Sequence, residues 1–222
     1  MIGDGETAAL VSRDGSIDWL CWPRFDADAC FAALLGTKEN GRWSIAPAAA
    51  SKSTRRRYQD DTLVIETEFE TANGTVRLID FMPMRDGPAS SLVRIVEGVS
   101  GEVRMHFDLR LRFDYGTLPP WSTPSGNGFV AKLGPDLVVL HAPVPISVRA
   151  HVADTVLEVK SGDRHAFVLR YGPSDGRYRR RSTLSRRWRR PARAGMTGSS
   201  ASTRPRPTGR MSSNARSSPC GR

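Results

Sequence analysis

Paired carboxyl groups are the first residues in this sequence that could carry out catalytic chemistry, since one can donate a proton while the other activates water. The chain has 23 Asp and Glu residues. The alternation of Glu66, Glu68 and Glu70 predicts a solvated strand face. Other close acids fall in predicted loops or near a helix start, where turns and caps use them: Asp60 with Asp61, Asp26 with Asp28, and Asp114 beside Tyr115. We therefore predict no catalytic residue in the chain.

Motifs for metals, cofactors and nucleophiles are also missing from the sequence. The four His residues lie in strand patterns without ligand spacing: His106, His141, His151 and His165. No P-loop, dinucleotide fingerprint or Gly-x-Ser-x-Gly motif occurs. Three Cys residues, an odd number, favour a reducing, cytoplasmic compartment, with Cys21 and Cys30 as buried thiols. We expect no metal, no cofactor and, without an apolar run of 18 residues, no membrane span.

The densest group of aromatic side chains lies near the N-terminus, between positions 19 and 31, and charged residues are interspersed with it. Core packing explains part of the group, but the charged members would need partners if they were buried. Loops that combine aromatic and Arg side chains suit interfaces. We predict that segment 18–31 forms a substrate rim or a domain-docking surface, with these candidates: Asp18, Trp19, Trp22, Arg24, Phe25 and Asp26.

The elements that must position these residues are mostly strands. Residues 102–113 alternate strictly and place six apolar side chains on one face, which predicts a long, half-buried strand. Further strands are predicted over these ranges: 7–11, 17–22, 62–70, 75–82, 91–97, 128–133, 136–141, 145–152, 154–160 and 165–171. Short connections, including a turn at Gly98–Gly101, imply an antiparallel β-sandwich. One short helix is predicted over 26–37, with Phe31, Leu34 and Leu35 on one face.

The C-terminal segment differs in composition from the rest of the chain. Residues 177–222 contain 14 Arg and no acid, so residues 1–176 carry a formal charge of −4 although the whole chain carries +10. Few large apolar side chains occur there, which predicts a disordered tail over 174–222, separate from a sandwich domain over 1–173. Such a tail is either a basic arm or the product of reading a gene out of frame. The second interpretation is favoured because 15 Arg against 4 Lys before residue 177 indicate a G+C-rich gene, and such a gene read out of frame encodes mostly Arg, Ala, Gly, Pro and Ser.

The N-terminal motifs resemble those of bacterial family-15 glycoside hydrolases, the trehalase and glucoamylase-like group. The resemblance is strongest in the run Thr7-Ala-Ala-Leu-Val-Ser-Arg-Asp-Gly-Ser-Ile-Asp-Trp-Leu-Cys-Trp-Pro-Arg-Phe-Asp26. It continues through Gly41-Arg-Trp-Ser-Ile-Ala-Pro47, Asp80-Phe-Met-Pro83 and Arg112-Phe-Asp-Tyr-Gly116. It covers about residues 2–173 and ends before the Arg-rich segment.

This resemblance implies a super-sandwich domain that packs on a larger (α/α)6 barrel in the same protein. In that family the barrel carries the catalytic carboxylates that hydrolyse α-glucosidic bonds. The tail contains no acid, so no catalytic residue is transferred to this chain. The resemblance therefore implies a non-catalytic domain of carbohydrate metabolism that is inactive alone and has the barrel, and through it an α-glucoside, as its partner.

Two other functions fit the residues. A free-standing carbohydrate-binding sandwich would use exposed aromatic rings as sugar platforms, for which Tyr115 and Trp121 are the candidates. A nucleic-acid binder would act through the basic tail, and its affinity would fall steeply with salt. We regard nucleic acid as the weaker expectation, because the body of the chain is mildly acidic.

Overall fold

The computed structural model describes residues 1–174, and the predicted tail beyond residue 174 lies outside them. These residues form a mostly β structure in which every strand pair is antiparallel. The strands are β1 (Ile2–Gly3), β2 (Ala8–Val11), β3 (Ser16–Cys21), β4 (Ala29–Phe31), β5 (Arg42–Pro47), β6 (Ser53–Tyr58), β7 (Ile65–Glu70), β8 (Gly74–Phe81), β9 (Ser90–Arg110), β10 (Trp121–Ser125), β11 (Gly128–Leu133), β12 (Asp136–His141), β13 (Ser147–Arg149), β14 (Val152–Lys160) and β15 (Arg164–Pro173). Short 3-10 helices span Ala33–Leu35 and Lys38–Asn40.

Strand β9 connects two groups of strands in one branched sheet. Its first half pairs with β8 on one side and β15 on the other, with Val93 opposite both Phe81 and Val168. Its second half pairs with β5 and β14, with Leu109 opposite both Trp43 and Ala153. A strand paired along both edges has its backbone groups satisfied, which is why the long alternating segment can lie at the centre.

Side chains from both halves meet in one hydrophobic core. The six apolar residues that the alternation of 102–113 predicts to share a face are all buried: Val103, Met105, Phe107, Leu109, Leu111 and Phe113. The Phe107 ring lies 5.0 Å from the Phe167 ring, which belongs to the other group of strands. Burial of this face accounts for the alternation, because each apolar side chain that is removed from water stabilises the fold.

The predicted helix over 26–37 does not form as an α-helix. The segment instead contains β4, which pairs with β3, and the 3-10 helix Ala33–Leu35. Phe31 is buried, whereas Leu34 and Leu35 point to solvent. Strand pairing with β3 determines the backbone here, and it separates side chains whose spacing would have placed them on one helical face.

The predicted turn at Gly98–Gly101 is also wrong, because β9 passes through it without reversing. The glycines instead permit close backbone approach: a Cβ on Gly98 would lie 1.9 Å from the Lys160 carbonyl oxygen. Gly101 has a positive φ of 65° and pairs with Gly74, next to a register shift between β8 and β9. This irregularity lies where β9 changes from one set of partners to the other.

A buried ion pair in one group of strands also makes hydrogen bonds to the other group. Arg94 and Asp80 are fully buried, and the Arg94 Nε lies 2.7 Å from Asp80 Oδ1. The same guanidinium donates to the Trp43 carbonyl oxygen at 2.6 Å and to the Gly15 carbonyl oxygen at 2.8 Å. It also lies over the Trp43 ring, 5.3 Å from its centroid. Arg94 therefore fixes the β2–β3 hairpin and β5 to the opposite group of strands.

None of the helices formed by residues 1–174 is long and apolar enough to cross a membrane.

Candidate domain-docking site

Trp22 anchors the start of the predicted docking segment in the core. It follows β3 directly and is buried. Its ring packs against Tyr171 with centroids 5.5 Å apart, and its Nε1 donates to Ser90 Oγ at 3.0 Å. Trp22 is therefore placed to hold the loop after β3 rather than to touch a partner itself.

Asp4 organises a buried polar network behind this loop. Its Oδ2 accepts hydrogen bonds from Ser90 Oγ at 2.6 Å and from Arg85 Nη2 at 2.9 Å. Its Oδ1 accepts from the backbone N–H groups of Thr7 at 2.9 Å and Glu6 at 3.0 Å. Burial acts to raise the pKa of Asp4, but these hydrogen bonds, led by that from Ser90, stabilise the carboxylate and leave the pKa lowered.

The same network fixes the backbone of the loop that follows Trp22. Arg85 Nη2 donates to the Pro23 carbonyl oxygen at 2.6 Å, and the Phe25 N–H donates to the Glu6 carbonyl oxygen at 3.1 Å. The loop side chains project away from these anchors: Phe25 is 72% exposed, and the exposed Arg24 pairs with Asp26 at 3.0 Å. The loop thus presents an aromatic ring and a charge pair on a fixed backbone.

A second part of the segment lies on the outer face of β3 and β4. Trp19 packs against a small apolar cluster formed by Cys21, Ala29 and Ala32. The Tyr115 ring lies 6.3 Å from the Trp19 ring at a tilt of 41°. The Tyr115 N–H donates to the Ala29 carbonyl oxygen at 3.1 Å, so the 113–118 loop is attached to β4.

The structure adds apolar side chains that sequence reasoning did not place on this surface. Leu34 and Leu35 follow β4 and are exposed, Leu35 by 71%. Their turn lies against β3 and against the second 3-10 helix. We define the docking face as the exposed or half-buried side chains of residues 19–35, with Tyr115 packed against them. The sequence carries no signal of this exposure, because the spacing of Leu34 and Leu35 predicts one face of a helix.

The remaining candidates occupy different places. Asp18 lies in β3 and accepts a hydrogen bond from the Ser16 hydroxyl, so it is engaged locally. Trp121 begins β10, which ends the sheet, and it is 78% exposed. The ring that Tyr115 is seen to contact is Trp19, and the sugar platform of Tyr115 with Trp121 remains a prediction.

Buried carboxylates in the described part of the chain all have arginine partners. Glu66, predicted on a solvated face, is instead buried, and its Oε2 lies 2.7 Å from Arg57 Nη2. Asp4, Asp80 and Asp108 likewise pair with arginines: Arg85, Arg94 and Arg110 respectively. Each of these four carboxylates therefore takes part in an ion pair that the fold itself supplies.

Residues 1–174 hold no group of three or more His, Cys, Asp or Glu side chains that could bind a metal ion. Cys21 and Cys30 are free thiols and both are buried, as the sequence predicts. Burial raises the pKa of both thiols, with a smaller contribution from neighbouring negative groups. Neither thiol is placed for nucleophilic chemistry.

Comparison with known proteins identifies the relatives of this chain. It is 31% identical to a trehalase of Thermoplasma volcanium over 151 residues, which is 65% of this chain and 24% of that protein. It is 30% identical to trehalase 1 of Sulfolobus acidocaldarius over 176 residues, which is 78% of this chain and 29% of that protein. The chain therefore spans about a quarter of the length of these relatives.

One solved structure, a putative kojibiose phosphorylase from human microbiome, matches 79% of this chain and 31% of that chain at 10% identity and a TM-score of 0.36. The family model "Trehalase-like, N-terminal" matches residues 1–193. Since that match includes every described strand, the chain belongs to the trehalase-like N-terminal family.

Proposed function

We propose that residues 1–174 form a non-catalytic β-sandwich domain that docks on the catalytic domain of a family-15 glycoside hydrolase. The two groups of strands that share β9 would be the layers of the sandwich, in the super-sandwich arrangement. The catalytic partner would be an (α/α)6 barrel that hydrolyses an α-glucosidic bond, as in a trehalase or a glucoamylase-like enzyme. The free thiols of Cys21 and Cys30 suit a reducing compartment, and we propose the cytoplasm.

The docking face is the observation that carries this proposal. Phe25 and Leu35 are exposed by 72% and 71%, yet the backbone around Phe25 is fixed by hydrogen bonds from Arg85 to Pro23 and from the Phe25 N–H to Glu6. Rigid, exposed apolar side chains beside a charge pair are typical of an interface core with a polar rim. The arginine-paired carboxylates support a structural role for the domain over a catalytic one.

The proposal can be tested in an intact relative such as trehalase 1 of Sulfolobus acidocaldarius. Substitutions equivalent to Phe25→Ser and Arg24→Gln should lower the turnover of trehalose and the melting temperature of the whole enzyme. The equivalent of Val156→Ser, at an exposed apolar position on β14, is the matched control. Unchanged turnover and stability in the first two variants would refute docking through this face.

The chain by itself should not hydrolyse trehalose or an α-glucan. A purified preparation, checked against one made in parallel from cells that lack the gene, should release no glucose above that background. Glucose release that co-purifies with the chain would show that it is an enzyme in its own right.

A second candidate function, carbohydrate binding, is favoured by the exposure of Trp121. A ring that is 78% exposed on an edge strand can stack on a sugar without rearrangement. Titration with trehalose and maltose, followed by Trp emission, should then show a saturable change that Trp121→Ala abolishes. An identical signal in that variant would exclude Trp121 as a sugar platform.

A further inference from the structure

A cleft of about 530 Å³ opens between the edge strand β6 and the β2–β3 hairpin. None of the residues that line the cleft belongs to the docking face. Arginines from both elements line it, Arg13 from the hairpin and Arg56 and Arg57 from β6, together with Tyr58 and Val11. Clefts of this volume are in the range that accommodates small organic ligands.

The charges that face the cleft are mostly uncompensated. Arg57 pairs with Glu66, but within residues 1–174 no carboxylate lies within ion-pairing distance of Arg13 or Arg56. Met1 also lines the cleft, and the pKa of its amino group is lowered, first by burial and then by the charge of Arg56. The cleft is therefore a region of positive potential on a body that is otherwise mildly acidic.

The Arg56 guanidinium is held in place before any ligand arrives. Arg56 Nη2 donates to the Val11 carbonyl oxygen at 2.7 Å, which spans the cleft from β6 to β2. Arg57, the next residue of β6, is instead committed to Glu66, because its Nε and Nη2 lie 2.8 and 2.7 Å from Glu66 Oε2. A guanidinium held by one hydrogen bond keeps further N–H donors for a ligand, and holding it reduces the entropy lost on binding.

The hairpin that carries Arg13 is also fixed. The Gly15 carbonyl oxygen accepts from the buried Arg94 at 2.8 Å and from the Ile45 N–H at 3.0 Å. Gly15 has a positive φ of 84°, and a Cβ there would lie 2.3 Å from the Ile45 carbonyl oxygen, so the turn fits closely against β5. Arg13 is thus presented from a turn that is tied to the core.

We propose that this cleft binds a small organic phosphate monoester. Arg13 and Arg56 have no ion-pairing carboxylate within residues 1–174, and this excess positive charge matches the sign of the charge of about −1.5 to −2 on a phosphate monoester at neutral pH. Arginine N–H groups bond phosphate oxygens in pairs. The Tyr58 hydroxyl at the wall accepts from the Met1 amino group at 2.9 Å and donates to the Met1 carbonyl oxygen at 3.0 Å, so it holds the N-terminus beside the cleft. The cleft volume leaves room for the organic part of the ligand beside the phosphate. This site does not depend on the docking role proposed above.

Nuclear magnetic resonance titration of the full chain with glucose 6-phosphate tests the proposal. At about 0.15 M salt, where exposed charges are screened beyond about 8 Å, saturable shifts should appear at the amides of Arg13, Arg56 and Tyr58. Glucose should cause none, and inorganic phosphate should bind more weakly. Arg13→Gln and Arg56→Gln should each weaken binding of glucose 6-phosphate by about tenfold, the effect of losing one charge-assisted hydrogen bond. Arg13 is exposed, so that variant should fold normally.

Arg104→Gln is the matched control, since Arg104 is an exposed strand arginine that pairs with Glu158 away from the cleft. Its affinity for glucose 6-phosphate should equal that of the unmodified chain. Shifts confined to residues 177–222, or an equal loss in Arg104→Gln and Arg13→Gln, would refute the site. Equal affinity for inorganic phosphate and glucose 6-phosphate would refute the proposal that the cleft recognises the organic part of the ligand.

Discussion

Removing the charge of Asp80 should be among the most destabilising single substitutions in the domain. Asp80 and Arg94 are both fully buried and joined by two hydrogen bonds, of 2.7 and 3.1 Å. Asp80→Asn is nearly isosteric, so it leaves packing intact but leaves the guanidinium as a buried, uncompensated charge. Breaking a buried pair in this way costs about 3–5 kcal/mol, a large part of the roughly 5–15 kcal/mol that stabilises a typical domain.

Urea unfolding at neutral pH, followed by Trp emission, measures this cost. Glu158→Gln is the matched control, because Glu158 pairs with Arg104 on an exposed strand face and such pairs contribute about 0–1 kcal/mol. Adding Arg94→Met to Asp80→Asn should cost less than the sum of the two single changes, since the second change removes the charge that the first one left unpaired. An Asp80→Asn variant that loses no more stability than Glu158→Gln would refute this account of the ion pair.

Three further expectations follow from the buried groups and the docking face. The pKa of Asp4 is lowered, so its contribution to the free energy of unfolding is present above about pH 3.9. That contribution is lost as the pH falls through the folded pKa. Acid titrations should therefore show a flatter pH dependence of stability for Asp4→Asn between about pH 2 and 5. The pKa of Cys30 is raised well above its usual value, mainly by burial. Iodoacetamide should therefore alkylate Cys30 only after urea unfolding. Labelling of the native protein, detected by peptide mass spectrometry, would contradict the burial of this thiol. The chain should self-associate through its docking face, and sedimentation should show less association in Leu35→Ser but not in Val156→Ser; equal association in both would exclude the face.

The strands could be predicted where alternation continued over many residues. The sequence of residues 102–113 predicts a buried strand face because six apolar residues recur with period two, and the structure buries all six. The alternation could not show that β9 begins at Ser90 and continues through Gly98 and Gly101. Glycine predicts a turn in isolation, whereas here the flanking strands hold the chain extended.

The sequence points to a candidate site, which stays a prediction, but it does not show how that surface is built. Aromatic density pointed to residues 18–31, and the exposure of Phe25 agrees with that surface. Trp22 has the same residue type as Trp19 but lies in the core. Its indole N–H is satisfied there by Ser90, which lies 68 positions away in the sequence. Asp4 and Arg85 are 81 positions apart. Contacts at such separations depend on the closed fold, so local pattern carries no signal of them.

The two buried arginines Arg85 and Arg94 show what this domain does with its internal charge. Each pairs with a buried aspartate, Arg85 also with Glu6, and each directs a further N–H group to a backbone carbonyl oxygen of a surface loop: Arg85 to Pro23, and Arg94 to Gly15. A hydrophobic pair of similar volume would often stabilise a core equally well, so stability alone does not account for them. We infer that these ion pairs fix two loops: the one that bears Phe25 on the docking face and the hairpin that bears Arg13 in the cleft. Internal charge used in this way agrees with the proposed docking role, in which the domain presents fixed loops to a partner.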